Sequence, residues 1–124
     1  MKILVSGTRL GVESIIVKTM IDFVKNYDTE FILIHGAAKG VDTQAANYAR
    51  QLGWEVFPFK PDWKIGKRAG LDRNSDMIND KPDFGIFIPG EESRGTYDCL
   101  EKYKLTNKPY ILYHYEKRTF TLHE

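Results

Sequence analysis

The sequence predicts an α/β fold: a three-layer sandwich on a mainly parallel sheet of about five strands, with a C-terminal hairpin at one edge. Three observations lead there. Short apolar runs alternate with segments whose apolar residues recur at helical spacing. That alternation implies right-handed crossovers between parallel strands. Glycine-bearing turns follow directly on three of the apolar runs, at Val5-Ser6-Gly7-Thr8-Arg9, at Ile34-His35-Gly36-Ala37-Ala38-Lys39-Gly40, and at Ile88-Pro89-Gly90 continuing to Arg94-Gly95-Thr96.

Residues 2–6 read as a buried strand, and Val12, Ile15, Ile16, Met20, Phe23 and Val24 then give a helix over roughly 12–26. Residues 31–34 are a second short strand. Asp42 is placed to cap the next helix, whose inner face is Ala45, Ala46, Ala49 and Leu52 and which Gly53 ends. Residues 54–58 form a third strand, and a polar loop runs from Lys60 to Gly70. A short helix carries Met77 and Ile78, with Arg73-Asn74 at its start. Residues 83–88 are the fourth strand, Tyr97, Leu100, Lys104 and Leu105 mark one side of another helix, and residues 109–113 are the fifth strand. The alternating tail, Arg118 to Leu122, pairs back as a hairpin around Glu116-Lys117.

The 124 residues make one domain, 1–124, large enough for its own core. With 18 basic and 17 acidic residues, charge is nearly balanced, which argues against bulk nucleic-acid binding. Lys60, Lys64, Lys67, Arg68 and Arg73 nevertheless crowd one stretch. The lone Cys99 excludes an internal disulfide and fits a reducing, cytoplasmic setting. Lys2 and three apolar residues before Ser6-Gly7 read as a strand rather than a signal peptide, and no apolar run approaches the ~20 residues of a membrane span. No His/Cys/Asp cluster suggests a zinc site, so neither a metal nor a cofactor is expected; His114 and His123 lie in the tail without useful partner spacing.

In an open parallel sheet, ligands bind beyond the strands' carboxyl ends. All the glycine turns fall on that edge, where helix N-termini present free N–H groups to anions. The first-order reading is a nucleotide or phosphate site. A dinucleotide fingerprint fails, because the first turn is Gly7-Thr8-Arg9-Leu10-Gly11 and the second strand runs into His35 rather than an acid. A P-loop fails too: Gly90 and Gly95 have the glycine spacing, but Thr96 stands where lysine should. Arg9 is placed for a phosphate fork. His35 contacts ligand or only hydrogen-bonds its own turn. The run from Gly66 to Met77 is dense in donors, with Lys67, Arg68, Arg73 and Asn74, and Trp63 stacks on a base or covers the core rim.

Taken together, Ser6-Gly7-Thr8-Arg9, His35-Gly36-Ala37-Ala38-Lys39-Gly40-Val41-Asp42, Asp62-Trp63 with Gly66-Lys67-Arg68-Ala69-Gly70, Arg73-Asn74 with Met77, and Pro89-Gly90 with Gly95-Thr96 resemble the YspA-type branch of the SLOG superfamily, relatives of the Lonely Guy and DNA-processing Smf proteins. The resemblance runs to about Leu112. It implies a Rossmann-like fold that binds nucleotides or nucleotide-derived signals. Some such relatives are phosphoribohydrolases, and others bind NAD-derived or cyclic nucleotides in prokaryotic and phage conflict. The hydrolases carry a tight Pro-Gly-Gly-x-Gly-Thr turn and a catalytic glutamate three residues after the threonine. Here Glu91, Glu92 and Ser93 lengthen the turn and Cys99 holds the glutamate position. Asp98 is adjacent, but neighbours on a helix point about 100° apart, which makes it a poor substitute.

The leading expectation is therefore a non-catalytic binder of a nucleotide-type small molecule, a sensor or sponge for which cyclic ADP-ribose is one candidate ligand. Arg9, Lys39, Arg68 and Arg73 would neutralise phosphates; Gly36, Gly90, Gly95 and Thr96 would supply donors; Trp63 or His35 would touch base or ribose. Gly7, Thr8, Ala37, Asp42, Lys67 and Asn74 complete the expected set. A phosphoribohydrolase using Asp98 or Glu92 is the alternative, and a DNA-associated module, disfavoured by charge, the third. The resemblance also implies a homo-oligomer, with Phe23, Tyr48, Tyr97 and Tyr103 as candidate interface aromatics.

Overall fold

A computed structural model describes all 124 residues. Its central strand, β1 (Lys2–Gly7), is buried from Ile3 onward, as a strand covered by helices on both faces must be. It pairs in parallel with β2 (Ile32–His35) on one side and β4 (Phe84–Ile88) on the other. β3 (Glu55–Pro58) adds to β2, and β5 (Tyr110–His114) adds to β4, both parallel. β6 (Thr119–His123) closes the far edge antiparallel to β5, so the six-stranded order is β3-β2-β1-β4-β5-β6. The expected α/β sandwich, mainly parallel sheet and C-terminal hairpin are all present.

Side chains alternate across the sheet and build two cores. Ile3, Val5 and Leu33 face α1 (Ser14–Val24) and α2 (Val41–Gln51), meeting Val17, Met20, Ile21 and Ala45. Leu4, Ile34 and Phe87 face α3 (Ala69–Asn79) and α4 (Arg94–Lys104), meeting Met77, Cys99, Leu100 and Tyr103.

Four local expectations are corrected. α3 begins at Ala69, so Arg73 lies in its second turn and not at its start. α4 buries Thr96, Cys99, Leu100 and Tyr103, whereas Tyr97, Lys104 and Leu105 face outward; the apolar stripe is rotated because Tyr103 is drawn under Phe87 and Tyr110. Full burial removes Tyr103 from any interface, whereas Phe23 and Tyr48 stay half-buried, in contact with Phe120 and Asp22. Finally, Gly40 and not Asp42 is the residue at the start of α2. Gly40 has φ 76, and a Cβ there would lie 2.6 Å from the carbonyl carbon of Arg9. Only glycine tolerates both the left-handed backbone and the approach of the first turn.

Candidate functional site

The chain leaves β1 toward β2, while β4 lies on β1's other side. At such a switch point the loops part and open a crevice beyond the strand ends. A cleft of about 1130 Å³ lies there. Its walls are the turn after β1 from Ser6 to Leu10, Gly36 and Ala38 after β2, Arg73, Asn74 and Met77 on α3, the Glu91-Glu92-Ser93 loop, and the cleft-facing side of α4.

The start of α4 leaves its first backbone donors free. Ser93 precedes the helix, but its hydroxyl accepts from the Gly90 N–H at 2.8 Å and does not cap. The N–H groups of Arg94, Gly95 and Thr96 therefore have no acceptor within the protein. They carry the positive end of the helix dipole on the cleft wall. Thr8 anchors the opposite wall: its N–H donates to Ile88 at 2.9 Å, and its carbonyl accepts from Gly11 and Val41.

The second glycine turn is organised differently, and this corrects the expectation that Gly36 offers its N–H to ligand. The N–H groups of Gly36 and Ala38 donate to Asp42 Oδ2 at 3.0 and 3.3 Å, and that of Ala37 donates to His35 Nδ1 at 3.0 Å. The turn thus satisfies its donors from Gly36 to Ala38, whereas the N–H groups of Lys39 and Gly40 have no acceptor within the protein. Burial pushes the Asp42 carboxyl up to about 6, against the opposing pull of these N–H bonds and Arg73. Asp42 Oδ1 and His35 Nε2 are buried without partners. Burial, reinforced by Arg50 and Arg73, pushes His35 down to about 4. His35 is therefore neutral at pH 7, lines neither cleft and holds its own turn.

Arg73 crosses from α3 to this turn. Its Nη1 donates to the Gly36 carbonyl, and its Nε donates to Asn74 Oδ1 at 2.9 Å. Asn74, 1 % exposed, donates in turn to the Gly95 carbonyl at 3.0 Å and to Asp98 Oδ2 at 3.1 Å. Its amide is fully engaged, so its part is to tie α3 to α4 rather than to read a base edge. Asp98 also pairs with Lys102 at 2.8 Å. The expected ~100° separation of Asp98 and Cys99 holds, but its consequence reverses: Asp98 lines the cleft, while Cys99 is sealed in the second core, where burial pushes its thiol up to about 12.

A second cleft, about 500 Å³, shares Arg9 and Ala38 with the first and is lined by Ala37, Lys39, Lys60, Pro61 and Trp63. Trp63 is 57 % exposed, so it does not cover the core rim. Of the residues singled out from sequence, Gly7, Thr8, Arg9, Gly36, Asp42, Arg73, Asn74, Gly95 and Thr96 meet at the first cleft, with Glu92 and Asp98, and Ala37, Lys39 and Trp63 at the second. Lys67 and Arg68 are exposed outside both, and Gly90 stands back behind Ser93. Sequence reasoning missed Ser93, Arg94 and Glu101 on the first cleft and Lys60 on the second. Arg94, Asp98 and Glu101 recur at helical spacing, a polar periodicity that could have revealed them.

Known proteins share this outline. Residues 1–66 match the family described as YspA, cpYpsA-related SLOG family. That stretch contains the first two glycine turns and the second cleft, whereas α4 lies beyond it. The chain is 29 % identical over 117 residues to Gene 61 protein of Mycobacterium phage D29, covering 89 % of this chain and 94 % of that protein. The X-ray structure of TM1055, a Northeast Structural Genomics Consortium target, superposes with a TM-score of 0.64 at 17 % identity, covering 88 % of this chain and 71 % of that one. At such identity the likeness concerns the fold, which is Rossmann-like. No helix is long and apolar enough to cross a membrane.

Proposed function

The chain belongs to the YspA, cpYpsA-related SLOG family, and on that premise we propose that it binds a nucleotide or nucleotide-derived signal and releases it chemically unchanged. The observation that carries this reading is the uncapped first turn of α4, whose three unclaimed N–H groups share a cleft with Arg9, Arg73 and Arg94. A phosphate seated there meets both the helix dipole and bidentate donors. Trp63 in the adjoining cleft supplies an exposed aromatic face for a base, and Lys39 and Lys60 supply charge for a second phosphate. An NAD-derived or cyclic nucleotide, cyclic ADP-ribose among them, suits such a pair of clefts. In support of binding without turnover, Cys99 at the position of the relatives' glutamate is sealed in the core, and the cleft-facing Asp98 is already paired with Lys102 and Asn74. The role is that of a sensor or sponge, and a setting in phage–bacterial conflict belongs to the same proposal.

Native mass spectrometry of the purified protein, followed by chromatography of the ligand released by heat, tests the reading. An intact nucleotide supports it; recovery of only free base and ribose phosphate overturns it. The same mass spectrum tests assembly, for which we propose a homodimer or larger; a monomer mass by light scattering at working concentration refutes that part.

One observation favours a second reading, a nucleotide phosphoribohydrolase: the Asp98 carboxylate faces the cleft, held by Asn74 and Lys102. Such a group can stabilise an oxocarbenium-like centre. Multiple-turnover release of adenine from AMP, abolished in Asp98→Asn, would establish it.

A further inference from the structure

The C-terminal hairpin carries a feature that the nucleotide clefts do not use. In the β5–β6 register, Tyr110 lies opposite His123, Leu112 opposite Thr121, and His114 opposite Thr119. Residues paired in this way share a face, so the hairpin brings His114, Thr121 and His123 together. Their ring nitrogens converge. His114 Nε2 lies 2.9 Å from Thr121 Oγ1, and His123 Nε2 lies 2.8 Å from the same oxygen. Tyr110 stacks on the His123 ring with centroids 4.6 Å apart and planes 6° from parallel. That stack holds one imidazole in place before any ligand arrives.

A hydroxyl has a single proton, so Thr121 can donate to one imidazole only and must accept from the other. It is a makeshift partner for two nitrogens that point at one place. We propose that His114 and His123 form a two-nitrogen site for a divalent transition-metal ion, with Thr121 as the group the ion displaces. Zinc–nitrogen bonds are about 2.0–2.1 Å long. Drawing both rings inward by less than about 1 Å, with Thr121 rotated aside, meets that length. Neutral imidazole suits zinc, nickel and copper, whereas magnesium and calcium seek oxygen ligands. No cluster of three or more His, Cys, Asp or Glu side chains is placed to hold a metal ion, so water fills the remaining positions and the site stays open to solvent.

The test uses the full chain without an affinity tag. The chain is treated with EDTA, dialysed, and titrated with Ni²⁺ and Zn²⁺ while the histidine ring resonances are followed by NMR. Native mass spectrometry counts the ions bound. The expected result is one ion per chain, with the His114 and His123 signals perturbed together, His35 unaffected, and Mg²⁺ without effect. His114→Gln and His123→Gln should each weaken binding by about ten-fold or more, and Thr121→Val should retain it. Perturbation of one histidine alone, or a His114→Gln variant that binds as tightly as the parent, overturns the proposal. Should a Gln variant disturb the hairpin, the joint perturbation of both rings in the parent chain remains decisive.

Discussion

The guanidinium of Arg73 lies over Gly36 and donates to its carbonyl, in the volume that any side chain at position 36 would claim. A Cβ there would stand 2.7 Å from the guanidinium carbon. The glycine leaves that space to the guanidinium, the mobile end of Arg73, which a side chain at position 36 would push off the Gly36 carbonyl; Arg73 both braces the second turn and lines the cleft.

This contact predicts strong coupling. Gly36→Ala should destabilise the fold by about 1.5–3 kcal/mol by displacing the Arg73 guanidinium from its bond to the Gly36 carbonyl. Arg73→Ala should lower nucleotide affinity by roughly 1.5–3 kcal/mol, the scale of a hydrogen bond to a charged group. The double variant should lose less stability than the sum of the singles, by about 0.5–3 kcal/mol. Urea denaturation of the four proteins measures this; strict additivity would mean the two residues do not compete for one space.

Gly95 separates stability from binding. Nothing lies within 4 Å of a Cβ built there, and it occupies the first turn of α4. Gly95→Ala should therefore stabilise the helix by roughly 0.5–1 kcal/mol. The added methyl stands where a phosphate would approach the free N–H groups, so calorimetric affinity for the co-purified nucleotide should fall. Unchanged affinity would remove the α4 terminus from the proposed site.

Trp63 is the expected stacking platform. Its replacement by alanine should weaken nucleotide binding by about 1–3 kcal/mol, and ligand should quench its fluorescence in the parent. Trp54 provides an internal reference, since it is stacked on Phe31 with centroids 4.4 Å apart. Quenching that persists in Trp63→Phe would place the base elsewhere.

His35 and Asp42 make opposing contributions to the pH dependence of stability. His35 titrates at about 4 when folded against a reference of 6.5, so the unfolded chain takes up the proton first. Its contribution is lost as pH falls from 6.5 toward 4. Asp42 titrates at about 6 against 3.8, so the folded chain takes up the proton first, and stability rises as pH falls from 6 toward 4. Between pH 6.5 and 4.5 each term amounts to about 2 kcal/mol, of opposite sign. Relative to the parent, His35→Gln should therefore gain about 2 kcal/mol on acidification over that range, and Asp42→Asn should lose about as much. Denaturation curves at the two pH values read both differences; parallel shifts in the two variants would contradict the assignment.

Much of the fold could be read from local pattern. Ile3 to Val5, Phe31 to Ile34 and Phe84 to Ile88 declare themselves as buried strands, because apolar runs bounded by turn residues have few other uses. The turns after β1, β2 and β4 followed from the same boundaries, and parallel topology then gathered them on one edge. Sequence order by itself therefore determined where a cleft would lie and which segments would border it. It could not determine which polar groups remain free there. The donors of Gly36, Ala37 and Ala38 are consumed by Asp42 and His35, Asn74 is spent on Gly95 and Asp98, and Arg73 is spent partly on Gly36, a partner 37 residues away. The rotation of α4 that presents Asp98 and buries Cys99, and the convergence of His114 and His123 on Thr121, were likewise decided only in three dimensions. Periodicity is a property of neighbours along the chain. The availability of a donor, or the aim of an imidazole, depends on what distant segments bring against it, and that is settled when the helices dock on the sheet.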